Sequence, residues 1–250
     1  MSNITSISTA TQLHQYTDNL YPISNHTHNT MKLKPVTPSK PKYTNQRGHE
    51  PSMPMKDKED IICAKDYFLT KPERYQGQNL RDYSLFDLGI NVGLRAGDLL
   101  HLHISDVMNG KIIIKEQKTI NHNKPARVIT LAEPIQQMLN DYIKILKQND
   151  KYDIDNYLFQ SRKGNNQPMS VKGFWDIIKG MSKSIQADYN ITTHSCRRTF
   201  AYQKLIAHKE DAMYLSTIQM VLGHSSPKVT LRYVGIEAEE IADVYTNDVL

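Results

Sequence analysis

The sequence predicts an α+β fold that is mainly helical and carries a small three-stranded antiparallel sheet. Three observations lead to this prediction. Apolar residues recur at helical spacing from about Lys56 onward, the pattern becomes strand-like between residues 106 and 131, and helical spacing then returns toward the C-terminus. A chain of 250 residues, 39% of them hydrophobic, is long enough to bury a large core.

The first 55 residues differ in composition from the rest of the chain. They are rich in Ser, Thr, Asn, His and Pro and poor in large aliphatic side chains. Such a segment cannot bury enough apolar surface to offset the entropy lost on ordering, so we predict that residues 1–55 are mostly disordered. A solvated tail is favoured over a basic arm that contacts a polyanion. The folded body is expected to span residues 56–250.

Three helices are predicted before the sheet. The first carries an apolar stripe that ends at Phe68. The second covers about residues 81–91 and stops at Gly93, since glycine commonly terminates helices. A short third helix runs from Arg95 through Leu102.

The sheet is predicted from one turn signal and two alternating runs. Asn109-Gly110 is typical of a type I′ hairpin turn, here between Asp106-Val107 and the run 111–115. A further strand at 127–131 follows a polar loop. Three short strands in sequence order most simply form an antiparallel meander.

Helical patterns occupy the rest of the chain. Pro134 fits the first turn of a helix whose apolar stripe runs from Ile135 to Leu146. Ser170 and Thr193 are predicted to cap the next two helices. The remaining predicted helices lie at 211–222, near 227–234 and around 237–250.

Composition excludes several classes of protein. Lys and Arg number 31 against 26 Asp and Glu, and this modest surplus of +5 permits an anionic partner without requiring one. No apolar run is long enough to span a membrane, and the N-terminus does not resemble a secretory signal. The two cysteines, Cys63 and Cys196, are too few for a disulfide framework, so a reducing, intracellular setting is expected.

Several polar residues stand where a core-forming pattern does not need them. Taken singly, each has an ordinary explanation: a surface charge, a charged edge strand, a solvated pair, a helix C-cap or a half-buried aromatic ring. Taken together, their guanidinium, imidazole and ammonium groups suit the non-bridging oxygens of a phosphodiester, and a phenol supplies a nucleophile. The residues are Arg95, Lys118, His194, Arg197, His224 and Tyr233.

These residues lie in four motifs that resemble those of the tyrosine recombinase (phage integrase) family. Gly-Leu-Arg-Ala-Gly-Asp-Leu-Leu at 93–100 resembles its first arginine box, and Lys118-Thr119 resembles its β-turn lysine. His-Ser-Cys-Arg-Arg-Thr-Phe-Ala at 194–201 resembles its H-x-x-R box. Leu-Gly-His-Ser-Ser at 222–226, followed by Thr-Leu-Arg-Tyr at 230–233, resembles its L-G-H and nucleophile motifs. The resemblance covers roughly residues 60–240.

The resemblance implies a covalent mechanism without a cofactor. Tyr233 would attack the scissile phosphate and form a 3′-phosphotyrosyl link, which releases a 5′-hydroxyl. His194 would accept the tyrosine proton, and Lys118 would protonate the departing oxygen. Because the phosphodiester energy is kept in the phosphotyrosine, rejoining would need neither ATP nor a metal.

The remaining residues would bind and orient. Arg95 and Arg197 would clamp the non-bridging oxygens, and His224 would add a hydrogen bond to the phosphate. Asp98 would orient Arg95 from behind. Arg198 adjoins Arg197, and the H-x-x-R spacing selects Arg197 as the clamp.

The family also implies a biological setting. We expect site-specific DNA strand exchange (integration, excision or inversion) by four protomers on two DNA sites, with accessory DNA-bending or directionality proteins as further partners, in the cytoplasm at the nucleoid. The stretch 237–250 could dock into a neighbouring protomer or pack on its own domain. Residues 1–55 are too short and polar for the core-binding domain that many members carry, so a compact, catalytic-domain-only member is expected.

Two other classes of protein explain the sequence less well. Residues 214–233 are also compatible with a helix-turn-helix regulator without catalysis, but this reading leaves Arg95, Lys118, His194 and Arg197 unexplained. A metal-dependent nuclease needs clustered carboxylates, and none accompanies these cationic residues in the sequence. A covalent adduct with DNA distinguishes a recombinase from a regulator.

Overall fold

The structure, a computed structural model, describes residues 50–115, 126–149, 151–211 and 213–236. All helices and strands reported below belong to one compact unit that begins at Ser52. Three predictions fall outside the described residues: the head up to residue 49, the Lys118-Thr119 motif and the helix at 237–250. Within the described ranges, no helix is long and apolar enough to cross a membrane.

Eight α-helices, one 3₁₀ helix and two strands make up the described part of this unit. The predicted order of helices, strands and helices is confirmed. In chain order the elements are α1 Lys58–Thr70, α2 Gln78–Val92, α3 Ala96–Leu100, the 3₁₀ helix Ile104–Gly110, β1 Lys111–Ile114, β2 Arg127–Thr130, α4 Glu133–Gln148, α5 Val171–Ser184, α6 Thr193–Ala207, α7 Tyr214–Leu222 and α8 Pro227–Val234.

Helix α2 lies at the centre of the unit and packs against α1, α4 and α6. Nearly all of its residues are buried, although it carries charged side chains. Asp87 is neutralised by Lys65 of α1 at 2.7 Å, and Asp82 by Lys71 and Arg81. Because buried charges are costly unless paired, these ion pairs explain how an acidic helix can occupy the core.

Two glycines of α2 set its relation to the later helices. At Gly89 an added Cβ would lie 3.2 Å from the Cβ of Cys196 in α6, so the missing side chain permits the close approach of these two helices. Gly93 ends α2 in the left-handed region with φ 64, as the sequence predicted. The end of α2 and the start of α6 are therefore held side by side.

The predicted strand at Asp106-Val107 is wrong. These residues belong to the 3₁₀ helix, where the Asp106 carboxylate accepts a hydrogen bond from the backbone N–H of His103 at 2.8 Å. This local bond favours a helical turn over a two-residue strand. Asn109 and Gly110 do adopt positive φ (59 and 71), as a type I′ signal requires, but they connect the 3₁₀ helix to β1.

The sheet in the described residues consists of β1 and β2, paired antiparallel from Lys111 opposite Thr130 to Ile114 opposite Arg127. Side chains alternate: Ile112 is fully buried, whereas 54% of Ile113 is exposed. The sheet is also tied to the helical portion, since an Arg127 Nη1 donates to the carbonyl oxygen of Val221 in α7 at 3.0 Å.

The caps of the later helices follow the sequence closely, with one correction. Pro134 lies in the first turn of α4, and the Ser170 hydroxyl accepts from the N–H of Gly173, as predicted. The cap of α6 is Thr192 rather than Thr193: its hydroxyl accepts from the N–H of His194, and the Ser195 hydroxyl accepts from the N–H of Thr192. This reciprocal capping box fixes the start of α6 one residue earlier than predicted.

Candidate active site

Arg197 of α6 is the most buried of the candidate cations that the structure describes, with 4% of its surface exposed. Its Nη1 donates to the carbonyl oxygen of Gly93 at 2.5 Å, and its Nη2 donates to that of Leu222 at 2.7 Å. These carbonyls belong to the C-terminal ends of α2 and α7, where helix dipoles carry partial negative charge. Two helix ends therefore stabilise one buried guanidinium.

Tyr233 of α8 lies against the same guanidinium. The Arg197 side chain forms a hydrogen bond with the Tyr233 phenol. Burial raises the pKa of Tyr233 above its usual 10.0, while the charges of Arg197, Arg198 and Arg95 and the bond from Arg197 act in the opposite direction. The cations thus favour the phenolate form that a nucleophile needs.

His224 sits beside the Tyr233 ring. The two rings meet edge to face with their centroids 5.0 Å apart, and His224 Nδ1 lies 3.1 Å from the Thr230 hydroxyl. Gly223 places the imidazole here by ending α7 with φ 66, which confirms the predicted C-cap. Burial lowers the pKa of His224, and the charges of Arg197 and other nearby arginines act in the same direction.

Arg95 precedes α3 and acts on the same group of side chains. Its positive charge influences the pKa of both His224 and Tyr233, which places it in their vicinity. Its Nη1 lies 3.9 Å from Oδ2 of Asp98, a carboxylate of which 3% is exposed. Asp98 therefore lies close to Arg95 inside the fold, and its role in orienting Arg95 stays a prediction.

The structure therefore brings four of the six predicted residues together: Arg95, Arg197, His224 and Tyr233. His194 lies one turn before Arg197 in α6, and its side chain is exposed. Lys118 lies outside the described residues.

Two residues near Tyr233 were not predicted to have a part in the site. The guanidinium carbon of Arg198 lies 4.4 Å from the centroid of the Tyr233 ring, and Arg198 Nη1 donates to the Tyr233 carbonyl oxygen. Thr230 bonds His224, as described above. The sequence does indicate Thr230, because it lies three positions before Tyr233 and residues three apart share a helix face. No sequence signal distinguishes Arg198 from a surface charge.

Chemically, the site places guanidinium and imidazole groups close to a partly buried phenol, whose hydroxyl is bonded by Arg197. Such an arrangement suits a negatively charged group that reacts with the phenol, because preorganised donors stabilise the charge that develops in the transition state. A planar guanidinium also matches two oxygens of a phosphate at once. Among the residues that the structure describes, no three His, Cys, Asp or Glu side chains are arranged to hold a metal ion.

The fold is that of tyrosine recombinase catalytic domains. The chain is similar to XerA recombinase, with a TM-score of 0.57 and 23% identity over 79% of this chain and 66% of that one. It is also similar to XerH recombinase bound to a difH substrate, with a TM-score of 0.57 and 19% identity over 81% of this chain and 59% of that one. Residues 63–240 match the phage integrase family, and the chain belongs to this family.

Two curated relatives show how much of a full-length protein the chain covers. A probable integrase/recombinase, YoeC, from Bacillus subtilis is 33% identical over 77% of this chain and 94% of its own length. The tyrosine recombinase XerD from Staphylococcus haemolyticus is 27% identical over 76% of this chain. That match spans 60% of XerD, so the chain corresponds to a part of this relative.

Proposed function

We propose that this chain is a site-specific DNA recombinase that cuts and rejoins DNA through a 3′-phosphotyrosyl intermediate on Tyr233. The observation that carries the proposal is the placement of Arg197, Arg95 and His224 around the Tyr233 phenol. Membership of the phage integrase family supports it, as do relatives named as recombinases and integrases.

The reaction exchanges one phosphate ester for another. The Tyr233 oxygen attacks phosphorus, its proton passes to His194, and the bond from phosphorus to the 5′-oxygen breaks. Lys118 protonates that oxygen, which leaves as a hydroxyl. A 5′-hydroxyl from another duplex then attacks the phosphotyrosine and restores both the ester and the tyrosine. Because one phosphate ester is present at every stage, the cycle needs no external energy source.

Within this cycle Arg197 and Arg95 hold the non-bridging oxygens and His224 donates a further hydrogen bond to them. Burial and the nearby arginines lower the pKa of His224, which favours the neutral imidazole, a form that donates through one ring N–H. With Nδ1 placed at the Thr230 hydroxyl, Nε2 is the nitrogen available to the phosphate. Asp98 limits the freedom of Arg95.

We further propose that residues 56–250 form the catalytic domain and that residues 1–55 are a polar segment outside it. Four such domains would act on two DNA sites in the cytoplasm, assisted by DNA-bending or directionality proteins. Deletion of residues 1–50 should leave the thermal midpoint of the remaining chain unchanged. A large fall would show that the segment belongs to the folded unit.

The main test is covalency. We would incubate the protein with a pool of nicked duplexes randomised around the nick, denature it, and sequence the DNA that stays attached. The wild-type chain should yield adducts that share a sequence, and Tyr233→Phe should yield none while it still binds the selected duplex. Binding without any adduct would favour the helix-turn-helix regulator, and adducts with Tyr233→Phe would reveal another nucleophile.

A second test addresses the clamp. Arg95→Lys keeps the charge but loses the planar fork, so adduct formation should fall by about 100-fold, as for the loss of one preorganised donor. Arg162→Lys, at an exposed arginine outside the site, is the matched control. Near-normal cleavage by Arg95→Lys would contradict a clamping role.

A further inference from the structure

The side chain of Arg198 contacts both the backbone and the ring of Tyr233. The side chain leaves α6 next to Arg197 and extends to α8. Its Nη1 donates to the Tyr233 carbonyl oxygen, and its guanidinium carbon lies 4.4 Å from the ring centroid. One side chain thus touches two separate parts of Tyr233.

The bonded carbonyl lies at the C-terminal end of α8. Helix α8 is eight residues long and its C-cap is Gly235, whose N–H donates to the carbonyls of Leu231 and Arg232. The Tyr233 carbonyl, in the last turn of α8, accepts a hydrogen bond from the side chain of Arg198. Arg198 supplies the donor, and its positive charge also complements the negative end of the helix dipole.

The ring of Tyr233 lies between two contacts. The guanidinium of Arg198 meets the ring at cation–π distance, and the imidazole of His224 meets it edge to face. Rotation about the side-chain bonds of Tyr233 would break one or both contacts. The phenol oxygen is therefore held toward Arg197.

Arg198 occupies this position at a cost. Burial lowers its pKa, and its Nε is buried with no hydrogen-bond partner among the described residues. A guanidinium on open surface pays no such penalty. Its placement is better explained by what it does to Tyr233 than by solvation of α6.

We propose that Arg198 is a positioning residue for Tyr233, which holds the last turn of α8 by its carbonyl and orients the phenol for attack. This inference rests on the proposed function, because the reaction is what makes the orientation of the phenol matter. A nucleophile misplaced by about 1 Å can lose about 100-fold in rate.

The charged groups around Tyr233 determine how its reactivity depends on pH. Helix α6 contributes Arg197 and Arg198, the segment after α7 contributes His224, and the start of α3 contributes Arg95. All three arginines favour the phenolate. Removal of the Arg198 charge should therefore move the rise of adduct formation to higher pH.

The experiment compares Arg198→Gln and Arg198→Lys with a control, Lys204→Gln, which removes one positive charge from the exposed surface of the same helix. Two quantities are measured in the full chain. Amide hydrogen exchange of residues 228–235 in the free protein reports how stably α8 is held. The rate of adduct formation on the selected nicked duplex, from neutral to alkaline pH, reports the orientation and ionisation of Tyr233.

For Arg198→Gln we expect exchange in the last turn of α8 to become about tenfold to hundredfold faster, the range for one lost charge-assisted hydrogen bond. Adduct formation at neutral pH should fall by about 10-fold to 100-fold and recover in part at high pH. Arg198→Lys should keep the wild-type pH profile at a reduced rate, because it keeps the charge but not the fork. Lys204→Gln should match wild type in both measurements.

Wild-type exchange in α8 together with wild-type adduct rates in Arg198→Gln would overturn the proposal. An equal loss at every pH in both variants, with a lower thermal midpoint, would also overturn it, since that pattern indicates a purely structural role. If the wild-type chain forms no adduct with any duplex, the proposed function is wrong. Hydrogen exchange tests the Arg198 contact separately, because unchanged exchange in Arg198→Gln would show that Arg198 does not hold α8.

Discussion

Arg197 should contribute to folding as strongly as to catalysis. Its guanidinium donates to the carbonyls of Gly93 and Leu222, which end two different helices, and it bonds the phenol of Tyr233. Arg197→Ala would remove all three interactions from a site where 4% of the residue is exposed. Water cannot easily replace the lost donors there, so both carbonyls would stay unsatisfied.

The expected loss follows from these bonds. A hydrogen bond from a charged donor contributes about 1.5–3 kcal/mol, so two of them amount to about 3–6 kcal/mol. For a domain of this size each kcal/mol shifts the thermal midpoint by roughly 2–4 °C, and we expect a fall on the order of 10 °C.

Thermal melts followed by circular dichroism would measure this fall. Arg162→Ala is the matched control, since Arg162 is exposed and its ring contact with Tyr75 is 5.7 Å long. The control should change stability by less than about 1 kcal/mol. Adduct formation by Arg197→Ala, measured well below its melting temperature, should still be lost because the phosphate clamp is missing.

A thermal midpoint for Arg197→Ala within about 2 °C of wild type would refute this reasoning, because it corresponds to less than about 1 kcal/mol. It would mean that the two carbonyls find other donors or that helix ends do not depend on Arg197. Arg197→Lys should lose less stability than Arg197→Ala, because lysine keeps a charged donor. It should still be less stable than wild type, since one ammonium cannot span both carbonyls as the planar guanidinium does.

Three further predictions concern single residues. Gly93→Ala should destabilise the fold by about 1–3 kcal/mol in urea melts, because φ is 64 and an added Cβ would lie 2.4 Å from the Phe200 ring; an unchanged midpoint would contradict this packing. Ellman's reagent should modify exposed Cys63 in the native chain but Cys196 only after unfolding, since burial raises the pKa of Cys196 to about 12; rapid native modification of both would be inconsistent. Folding lowers the pKa of His224, so its contribution to stability is present above about pH 6.5 and is lost as the pH falls toward the pKa of the folded state. His224→Gln should therefore lose less stability on acidification than wild type. An equal dependence of stability on pH in the two proteins would argue against the pKa shift.

The local chemistry of the site could be predicted from short sequence segments. Gly93 and Gly223 were expected to end helices, and both adopt positive φ where they do so. The capping of α5 by Ser170 was likewise predicted from the sequence. These features depend on neighbours within a few residues, and that is the range over which sequence patterns carry information.

Prediction failed where two local signals competed. Asp106-Val107 was assigned to a strand because it precedes a turn signal, yet the Asp106 side chain bonds the N–H of His103 and forms a 3₁₀ turn. At α6 two adjacent threonines could each cap the helix, and Ser195 decides for Thr192 by returning a hydrogen bond. Both outcomes depend on side-chain bonds that spacing alone does not reveal.

The sequence by itself determined which chemical groups are available and which local turns present them: an arginine after Gly93, a histidine after Gly223, and a tyrosine at the end of a short helix. The tertiary structure alone decided that Arg197 bonds carbonyls 104 and 25 residues away, and that Arg198 reaches a carbonyl 35 residues away. The physical reason is range. Periodicity and capping act within a helix, whereas the partner of a buried guanidinium depends on which helix ends pack beside it.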